Sequence, residues 1–271
     1  MKVHVALTNN LKKESLTEID LNNTICAVID TIRASSTIVT LIACGASSIV
    51  VANDKKEAFK LKEVFPEYLL CGEDRGTTPK GFDYGNSPLE FSSMDVKGKK
   101  FIIRTTNGTD SIIKSSGFKD TFIMSILNLH YVLDVIIDAV RSISCDILLI
   151  CSGKERKIAY DDVYTAGLAV KYLLTRPYSF KFTDSAKLVM GAALSESIIN
   201  NALSKSSSAA ALRNASSTGM EDISFLSSLN RYKVAPVLIK RNIKDIKADI
   251  DSSIGIKAFS GNYLYFIEKN R

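Results

Sequence analysis

The sequence is poor in histidine, and its cysteines form no CxxC pair. Two histidines, His4 and His130, occur among the 271 residues, and the five cysteines are dispersed. Because protein zinc sites are built mostly from cysteine and histidine side chains, we do not expect a zinc centre. The odd number of cysteines and the apolar neighbours of Cys26 and Cys151 favour buried free thiols in a reducing compartment.

Long apolar runs and blocks of like charge are also missing. No run reaches about 18 apolar residues, the length at which a membrane span becomes a candidate. The opening residues MKVHVALT continue into polar sequence rather than into a signal peptide. Lys and Arg number 35 against 29 Asp and Glu, but these charges are scattered, which argues against a nucleic-acid-binding arm and suits a small anionic ligand. We expect a cytoplasmic protein that binds neither membranes nor nucleic acid.

Short apolar runs alternate with helical segments over the first 174 residues. Strands are predicted at 3–7, 25–29, 48–52, 68–71, 101–103, 121–124 and 146–151, and the longer helices at 34–44, 55–65, 129–143 and 161–174. Alternation of this kind with short connections predicts an α/β fold with a largely parallel or mixed central sheet covered by helices.

The last hundred residues are less regular. Four elements are predicted there: a long helix over 183–205, a short helix over 221–229, a strand over 234–239 and a hairpin over 259–268. Pro236 indicates a sheet edge or a functional bend, and the Ser/Ala-rich segment 204–219 fits a helix, a turn or a lid. Since no linker or repeat is visible, we expect one domain over residues 1–271, with a smaller C-terminal subdomain from about residue 178 as the alternative.

Polar or glycine-rich clusters follow five of the predicted strands. They lie at 30–33, 72–86, 105–109, 125–128 and 152–155. Ligands of open α/β sheets bind beyond the carboxyl ends of the strands. We therefore expect the five clusters to share one rim of the sheet and to form a binding site there.

Carboxylates are the main candidate metal ligands of this rim. They are Asp30, Glu73, Asp74, Asp83, Glu155, Asp161 and Asp162. Oxygen ligands with almost no histidine suit a hard cation such as Mg²⁺ better than zinc. Asp30 and Glu73 are the preferred pair, and the alternative role for each acid is a helix cap or an ion pair.

The same clusters contain groups that bind anions. Arg33 stands at the start of a predicted helix whose free N–H groups would face the rim. TTNGT (105–109) and Ser152-Gly153-Lys154 combine hydroxyls, amides and glycine, although no GxxxxGK[ST] or GxGxxG motif occurs. Phosphoryl-transfer and hydrolase sites combine carboxylates that hold a metal with opposing donors that bind a small anion, and this rim has both. Cys71, Cys151 and His130 are weaker candidates as nucleophile or base.

The clusters together resemble the 2-phosphosulfolactate phosphatase family. The matching strings are DTIRASST (30–37), Gly72-Glu73, GFDYGNSP (81–88), TTNGT (105–109) and CSG (151–153) with Asp162 and Ala166-Gly167, followed by Ser217-x-Gly219-x-x-Asp222 and Val234-Ala235-Pro236. The resemblance covers nearly the whole chain in order and spacing. One departure follows Glu73, where Asp74-Arg75-Gly76 is followed by Thr77-Thr78 in place of a stretch richer in arginine and glycine. Residues 74–80 are therefore expected to carry what is particular about the substrate.

The resemblance implies a three-layer α/β/α fold and a Mg²⁺-dependent phosphatase. The reaction would convert (2R)-O-phospho-3-sulfolactate into 3-sulfolactate and phosphate, a step of coenzyme M biosynthesis. Two alternatives stay open: a phosphatase of another small phosphorylated hydroxy acid, and a non-catalytic binder of small sulfonate or phosphate anions. A homodimer is one assembly that the sequence allows.

Site roles are predicted on the same basis. Asp30, Arg33 and Glu73 are expected to be catalytic, and the attacking group is either a metal-bound water or a carboxylate. The expected metal ligands are Asp30, Glu73, Asp161 and Asp162. The expected substrate contacts are Arg33, Asn86, Thr105, Thr106, Asn107, Ser152 and Gly153.

Overall fold

A ten-stranded mixed sheet crosses the described part of the chain, which comprises residues 1–11, 19–215, 218–242 and 263–269 of this computed structural model. In chain order the strands are β1 (Lys2–Ala6), β2 (Thr24–Ile29), β3 (Ser48–Val51), β4 (Leu69–Gly72), β5 (Lys100–Arg104), β6 (Asp120–Met124), β7 (Asp146–Cys151), β8 (Lys181–Phe182), β9 (Pro236–Asn242) and β10 (Tyr263–Lys269). Their order across the sheet is β4-β5-β3-β10-β9-β6-β2-β7-β1-β8. The predicted α/β class with a mixed sheet is confirmed.

Ten α-helices accompany the strands in these described residues. They are α1 (Ala34–Ala43), α2 (Lys55–Val64), α3 (Pro88–Ser92), α4 (Gly108–Lys114), α5 (Leu129–Ile143), α6 (Tyr160–Leu174), α7 (Asp184–Leu194), α8 (Ile199–Ser204), α9 (Ser207–Ala215) and α10 (Gly219–Leu226). Helix α3 lies where no helix is predicted. It forms because Ser87 accepts a hydrogen bond from the Glu90 amide and Pro88 occupies the first turn.

Two blocks of parallel strands run in opposite directions through the sheet. Strands β8, β1, β7, β2 and β6 form one block, and β3, β5 and β4 form the other. Between the blocks lie β9 and β10, and each is antiparallel to both of its neighbours. In a flat sheet, the carboxyl ends of the two blocks would therefore lie at opposite edges.

The carboxyl ends of both blocks nevertheless meet, because residues that follow β2 and β7 and residues that follow β4 and β5 line one cavity. Helix α1 lies beside this point, and all its residues from 34 to 42 are buried. One continuous core cluster joins Ile38 of α1 to Val28 of β2 in the first block and to Ile49 of β3 in the second. The two blocks therefore share one apolar core.

Two further core clusters cover the outer faces of the sheet. Helices α5, α6 and α7 pack on the first block through Leu133, Val170 and Val189, and α2 packs on the second block through Leu61. Apolar burial of this extent is the main favourable term in folding. It also gives helices on both sides of the sheet, as the three-layer prediction requires.

The prediction of one long helix over 183–205 is wrong, because the chain breaks between α7 and α8. At the break, the Tyr164 hydroxyl donates to the Glu196 carbonyl (3.0 Å), and the Ile198 amide donates to the Glu196 carboxylate (3.1 Å). These bonds replace helical ones, and the serines on either side of Glu196 are weak helix formers. The next segment, predicted as helix, turn or lid, contains helix α9, while residues 216–217 lie outside the described residues.

Pro236 does not mark a sheet edge. It is the first residue of β9, which lies in the interior of the sheet between β10 and β6. Proline is tolerated at the first position of a strand. In the predicted hairpin over 259–268, the turn residues Gly261 and Asn262 lie outside the described residues. Strand β10 pairs along its length with β9.

All five cysteines are free, as predicted. Cys44 is half-buried and the other four are buried. Burial raises the pKa of Cys26 to about 12 and that of Cys151 well above its ordinary value, so both thiols are inert near neutral pH. Among the described helices, none has the length and apolar character needed to cross a membrane.

Candidate active site

A cavity of about 290 Å³ opens where the two blocks of strands meet. Residues that follow β2, β4, β5 and β7 form most of its wall, and helices α6 and α9 complete it. Ten of the eleven predicted site residues line this cavity: Asp30, Arg33, Glu73, Asn86, Thr105, Thr106, Asn107, Gly153, Asp161 and Asp162. Ser152 is buried and does not line it.

Asp30 follows β2 directly and is buried at the floor of the site. Its Oδ1 accepts a hydrogen bond from the Ala34 amide (3.1 Å), and Oδ2 accepts none from the described residues. A Cβ on Gly108 would lie 2.6 Å from this Oδ2, which explains the glycine of TTNGT. Burial, reinforced by the charge of Asp161, raises the pKa of Asp30 to about 7.

Asp162 ties two loops together from the first turn of α6. The Thr31 amide donates to its Oδ1 (2.8 Å), and the Gly153 amide donates to its Oδ2 (2.9 Å). Burial, with the charges of Asp161 and Asp30, raises the pKa of Asp162 well above its ordinary value. The Asp162 carboxylate therefore connects the loop after β2 to the loop after β7.

Asp161 lies beside it with one oxygen unused. The Ile32 amide donates to Oδ2 (3.2 Å), whereas Oδ1 is buried without a hydrogen-bond partner in the described chain. Burial raises the pKa of Asp161. Hydroxyls of Ser208 and Ser206 lie near enough to favour its charged form, but neither completes a hydrogen bond to Oδ1.

Glu73 closes the loop that follows β4. Its Oε1 accepts from the Thr106 amide (2.5 Å), and its Oε2 accepts from the Gly76 amide (2.7 Å) and the Thr106 hydroxyl (3.1 Å). The carboxylate therefore joins the ends of β4 and β5. Sequence reasoning places Glu73 among the metal ligands, and in this geometry its oxygens are already engaged by the protein.

The four predicted metal ligands thus fall into two pairs. Glu73 and Asp162 use both oxygens on backbone amides, whereas Asp30 and Asp161 each keep one oxygen without a bond inside the described residues. Across the same residues, no three Asp, Glu, His or Cys side chains are grouped so as to hold a metal ion by themselves. Asp30 and Asp161 therefore have the oxygens that are least used by the protein, while Glu73 and Asp162 stay predicted ligands.

Arg33 is the buried cation of the site, and it follows a cis peptide bond after Ile32. Its Nη1 donates to Asp222 Oδ2 on α10 (2.8 Å), and both side chains are almost fully buried. Asp222 Oδ1 also accepts from the Ser87 hydroxyl (2.7 Å) and the Leu89 amide (3.3 Å). The guanidinium is therefore positioned from the far side by a carboxylate that also holds the GFDYGNSP segment.

Two of the predicted free N–H groups at the start of α1 are bonded inside the protein. The Ala34 amide donates to the Asp30 side chain, and the Ser35 amide donates to the Asp30 carbonyl (2.9 Å). These bonds form because Asp30 lies just before the helix and reaches its first turn. These two amides are therefore not available to an anion.

Asn86 is a polar side chain whose Oδ1 is not paired. It is buried, lines the cavity, and its Oδ1 has no hydrogen-bond partner in the described residues. The backbone holds the residue in place, since its carbonyl accepts from the Thr37 hydroxyl (3.1 Å). Thr105 instead bonds locally to Thr109. Asn86 therefore keeps a side-chain acceptor that no described residue uses.

Two tight hairpins flank the mouth of the cavity. The first hairpin (residues 74–77) follows β4, and the second hairpin (residues 154–157) follows β7. Both have positive φ at their two central residues: 50° and 86° at Arg75 and Gly76, and 51° and 64° at Glu155 and Arg156. This is the type I′ conformation, which closes two-residue hairpins.

Thr106 and Asn107 hold the two hairpins from one point. The Arg75 amide donates to Thr106 Oγ1 (3.1 Å), and the Glu155 amide donates to Asn107 Oδ1 (3.1 Å). Two consecutive side chains after β5 thus fix loops that belong to different blocks of the sheet. Thr106 and Asn107 therefore position the two hairpins, in addition to their predicted contact with the substrate.

Ser152 and Gly153 keep their backbone donors inside the protein. The Ser152 amide donates to the Ile29 carbonyl (2.8 Å), and the Gly153 amide donates to Asp162. Both amides serve the packing of β7 beside β2. Of the predicted pair, Gly153 forms part of the cavity wall.

The cluster at 125–128 does not reach the cavity. Ser125 and Asn128 form a capping box at the start of α5. His130 is likewise structural: its ring stacks on Tyr172 at 3.9 Å, and its Nδ1 pairs with Asn230 Nδ2 (2.8 Å). Burial and the charge of Arg176 lower the pKa of His130.

Two contributions to the site were not assigned from sequence. They are the positioning of Arg33 by Asp222 and the wall formed by α9. Asp222 and Arg33 are distant in sequence, so only the matching string around residue 222 points to the contact. Two short charged turns after strands, GEDRGT and SGKERK, do signal the paired hairpins.

Comparisons with known proteins agree on one family. The family model described as 2-phosphosulpholactate phosphatase matches residues 10–241. Three similar curated proteins bear the name "Probable 2-phosphosulfolactate phosphatase". The protein of Pseudothermotoga lettingae is 35% identical over 222 residues, 80% of this chain and 90% of the relative. That of Deinococcus radiodurans is 30% identical over 79% of this chain and 88% of the relative. That of Clostridium acetobutylicum is 32% identical over 65% of this chain and 74% of the relative.

Proposed function

The chain belongs to the 2-phosphosulfolactate phosphatase family, and on that premise we propose that it hydrolyses (2R)-O-phospho-3-sulfolactate to 3-sulfolactate and phosphate. The observation that carries the proposal is the pairing of opposite charges in one cavity. Asp30 and Asp161 line the cavity and each keep one carboxylate oxygen without a hydrogen bond in the described residues, and Arg33, held by Asp222, lines it too. We place the reaction in the cytoplasm, as a step of coenzyme M biosynthesis.

Mg²⁺ is the proposed cofactor, and Asp30 and Asp161 would hold it. Magnesium in enzymes commonly takes one or two protein carboxylates and completes its shell with water and substrate phosphate. The donor set fits this habit, since two buried carboxylates with raised pKa values lie together and Arg33 is already paired with Asp222. When bound, Mg²⁺ would neutralise phosphate charge and make water a better nucleophile.

The chain's own residues would bind and orient the phosphate ester. Arg33 offers its remaining N–H groups to phosphate oxygens, and Asn86 offers its amide to the same group or to the hydroxy-acid oxygen. Hydrolysis breaks the P–O bond to the hydroxy acid, whose oxygen takes a proton. Glu73, engaged on both oxygens, keeps the wall around these groups in place.

The attacking group is either water or the Asp30 carboxylate. Attack by Asp30 would leave a phosphoryl group on that side chain, and acid quenching during turnover with ³²P-labelled substrate would trap it. Attack by water would leave no label on the protein. Both routes use the same cavity and the same substrate.

The test is phosphate release from 2-phosphosulfolactate with Mg²⁺ and after chelation. We expect chelation and the variants Asp30→Asn and Asp161→Asn to lower kcat at least 100-fold. Asp138→Asn changes an exposed aspartate on α5 and serves as the matched control. Full activity after chelation and in both variants would exclude this mechanism.

A panel of other 2-phosphocarboxylates, assayed beside phosphosulfolactate, tests the substrate. A higher kcat/KM for another member of the panel would support phosphatase activity and identify that compound as the better substrate. Tight calorimetric binding of these anions with no turnover of any phosphoester would instead identify a binding protein.

A further inference from the structure

We propose that Arg75 and Lys154 form a second anion site at the mouth of the cavity, which selects substrates that carry an ionised acid group besides the phosphate. The inference rests on the proposed phosphatase function and adds the residues that would recognise the acid groups of its substrate. It assigns the specificity of the enzyme to two side chains on separate hairpins.

Both residues line the cavity, and each lies on one of the two hairpins. Arg75 is a central residue of the first hairpin, and Lys154 is the first residue of the second hairpin. Thr106 and Asn107 bind the two hairpins through the Arg75 and Glu155 amides. Residues at the two ends of helix α9 meet the same hairpins, since Lys154 Nζ donates to the Ser207 carbonyl (3.1 Å) and a Cβ on Gly76 would touch Ala215 at 3.6 Å.

Arg75 and Lys154 are also the lining cations without a carboxylate partner. Among the described residues, Arg33 is paired with Asp222, whereas neither Arg75 nor Lys154 takes part in an ion pair. Asp74, on the first hairpin, is itself bound by Lys55 and by Arg104 (3.2 Å). The first hairpin therefore presents the positive charge of Arg75 to a ligand.

One carboxylate opposes them at the mouth. Glu155 is exposed and lines the cavity beside Lys154. It would weaken the attraction for a second anion, so its removal should act in the direction opposite to removal of either cation. If the site recognises charge, loss of Glu155 should strengthen binding of the second anion and loss of either cation should weaken it. General damage to the hairpin would weaken binding in every case.

Arg75 is exposed and Lys154 half-buried, whereas Asp30 is buried, so a small acid would place its phosphate near Asp30 and Arg33 and its second acid group near the two hairpins. Guanidinium groups bind carboxylate and other oxyanions through two parallel hydrogen bonds, and an ammonium adds a mobile point charge. A carboxylate or a sulfonate would satisfy both. A phosphate ester of a neutral alcohol would leave the mouth cations unused.

The experiment compares kcat/KM for 2-phospholactate and phosphosulfolactate with that for isopropyl phosphate, which has no second acid. We expect Arg75→Gln and Lys154→Gln each to lower kcat/KM for the two acids about tenfold, mainly through KM, with little change for isopropyl phosphate. Glu155→Gln should lower KM for the acids. Arg75→Lys should restore part of the loss, and the ionic-strength dependence should weaken in both cation variants.

Matched controls lie on the same loops outside the cavity wall. Lys80→Gln and Arg156→Gln each remove one exposed charge and should leave the preference unchanged. Equal losses for all three substrates, or no loss in either cation variant, would overturn the proposal.

A binding measurement keeps the inference separate from the proposed function. Calorimetry with 3-sulfolactate needs no turnover, and we expect its Kd to rise about tenfold in Arg75→Gln and Lys154→Gln. Absence of turnover together with this shift would refute the phosphatase and retain the anion site. Turnover with an unchanged Kd would refute the anion site and retain the phosphatase.

Discussion

Arg33 depends for its position on a residue far away in the sequence. Its guanidinium meets Asp222 on α10 at 2.8 Å, and this carboxylate is fully buried. A buried ion pair contributes little net stability, but removal of one partner leaves an uncompensated charge. Asp222 is therefore a positioning residue, and it acts on substrate through Arg33.

We expect Asp222→Asn to lower kcat/KM for phosphosulfolactate about tenfold or more, with most of the change in kcat. The amide keeps the size of the side chain but leaves Arg33 without a charge partner, which costs about 3–5 kcal/mol of folding stability. Steady-state kinetics and urea unfolding measure the two effects. Glu221→Gln changes an exposed carboxylate next to Asp222 on α10 and serves as the control, and an equal kinetic loss there would contradict the role of the ion pair.

The raised pKa of Asp30 makes a prediction for the metal-free protein. Its folded pKa of about 7 lies above the ordinary value of 3.8, so the folded state holds this proton when the unfolded chain has released it. The stability contributed by Asp30 is complete below about pH 4 and is lost as the pH rises through 7. The unfolding free energy of the chelated wild type should therefore fall between pH 4 and 8.

Asp30→Asn has no proton to lose, so the same curve should be flatter in this variant. Urea unfolding at several pH values in the presence of chelator measures the difference. Parallel curves for the wild type and Asp30→Asn would show that the carboxyl group titrates normally.

At the residue scale, the sequence predicted ten residues that line the cavity, and their roles stay predictions. Asp30, Asp161 and Asn86 do reach the cavity with unused oxygens. Glu73 and Asp162 reach it too, but their oxygens accept backbone amides. The sequence shows which side-chain oxygens are present. It does not show which of them accept hydrogen bonds from nearby backbone amides, because those bonds depend on loop conformation.

At the scale of elements, helix α6 presents Asp161 and Asp162 only because it packs closely on α7. A Cβ on Gly167 of α6 would lie 2.1 Å from the Val189 carbonyl of α7. A Cβ on Gly191, on the exposed side of α7, would meet no atom within 4 Å among the described residues. The two glycines therefore differ in what an added methyl group would meet.

We expect Gly167→Ala to destabilise the protein by about 1–3 kcal/mol through overpacking, and to lower activity as α6 moves with its carboxylates. Gly191→Ala should instead stabilise it by about 0.5–1 kcal/mol, since alanine is the better helix former. Thermal unfolding and kinetics of both variants test the difference. A Gly167→Ala protein as stable and active as the wild type would show that the helices can separate without cost.

Strands and longer helices were predictable because each has its own period of apolar residues. Helix α5 and strand β7 occupy the predicted ranges of 129–143 and 146–151. The break in the helix near Glu196 was not predictable, since it depends on a hydrogen bond from Tyr164 that no local sequence pattern reveals. Helix α3 is the opposite case, where Ser87-Pro88 is a local signal of a helix start.

At the scale of the whole molecule, metal binding should stabilise the fold. A ligand that binds the folded state raises its stability by about 2.7 kcal/mol at a concentration 100-fold above Kd. We expect Mg²⁺ to raise the Tm of the wild type, and to raise it much less in Asp30→Asn and Asp161→Asn. Differential scanning calorimetry measures this, with Asp138→Asn as control. An equal rise in all four proteins would place the metal elsewhere.

The global arrangement of the sheet was the least predictable feature. Alternation of strands and helices favours parallel neighbours, and within each block this is observed. The reversal between blocks depends on β9 and β10, whose partners lie far away in sequence. The ends of both blocks do line one cavity, and strand order alone does not predict this.

The central position of β10 has a consequence for synthesis of the protein on the ribosome. Strand β3 is complete at Val51, but its neighbour β10 begins at Tyr263. Until then, the nascent chain has an open strand edge next to an apolar surface, and such edges pair readily with other chains. Polysomes stalled before β10 should therefore need chaperone protection, and the cavity acquires its final shape only after the last described strand has emerged.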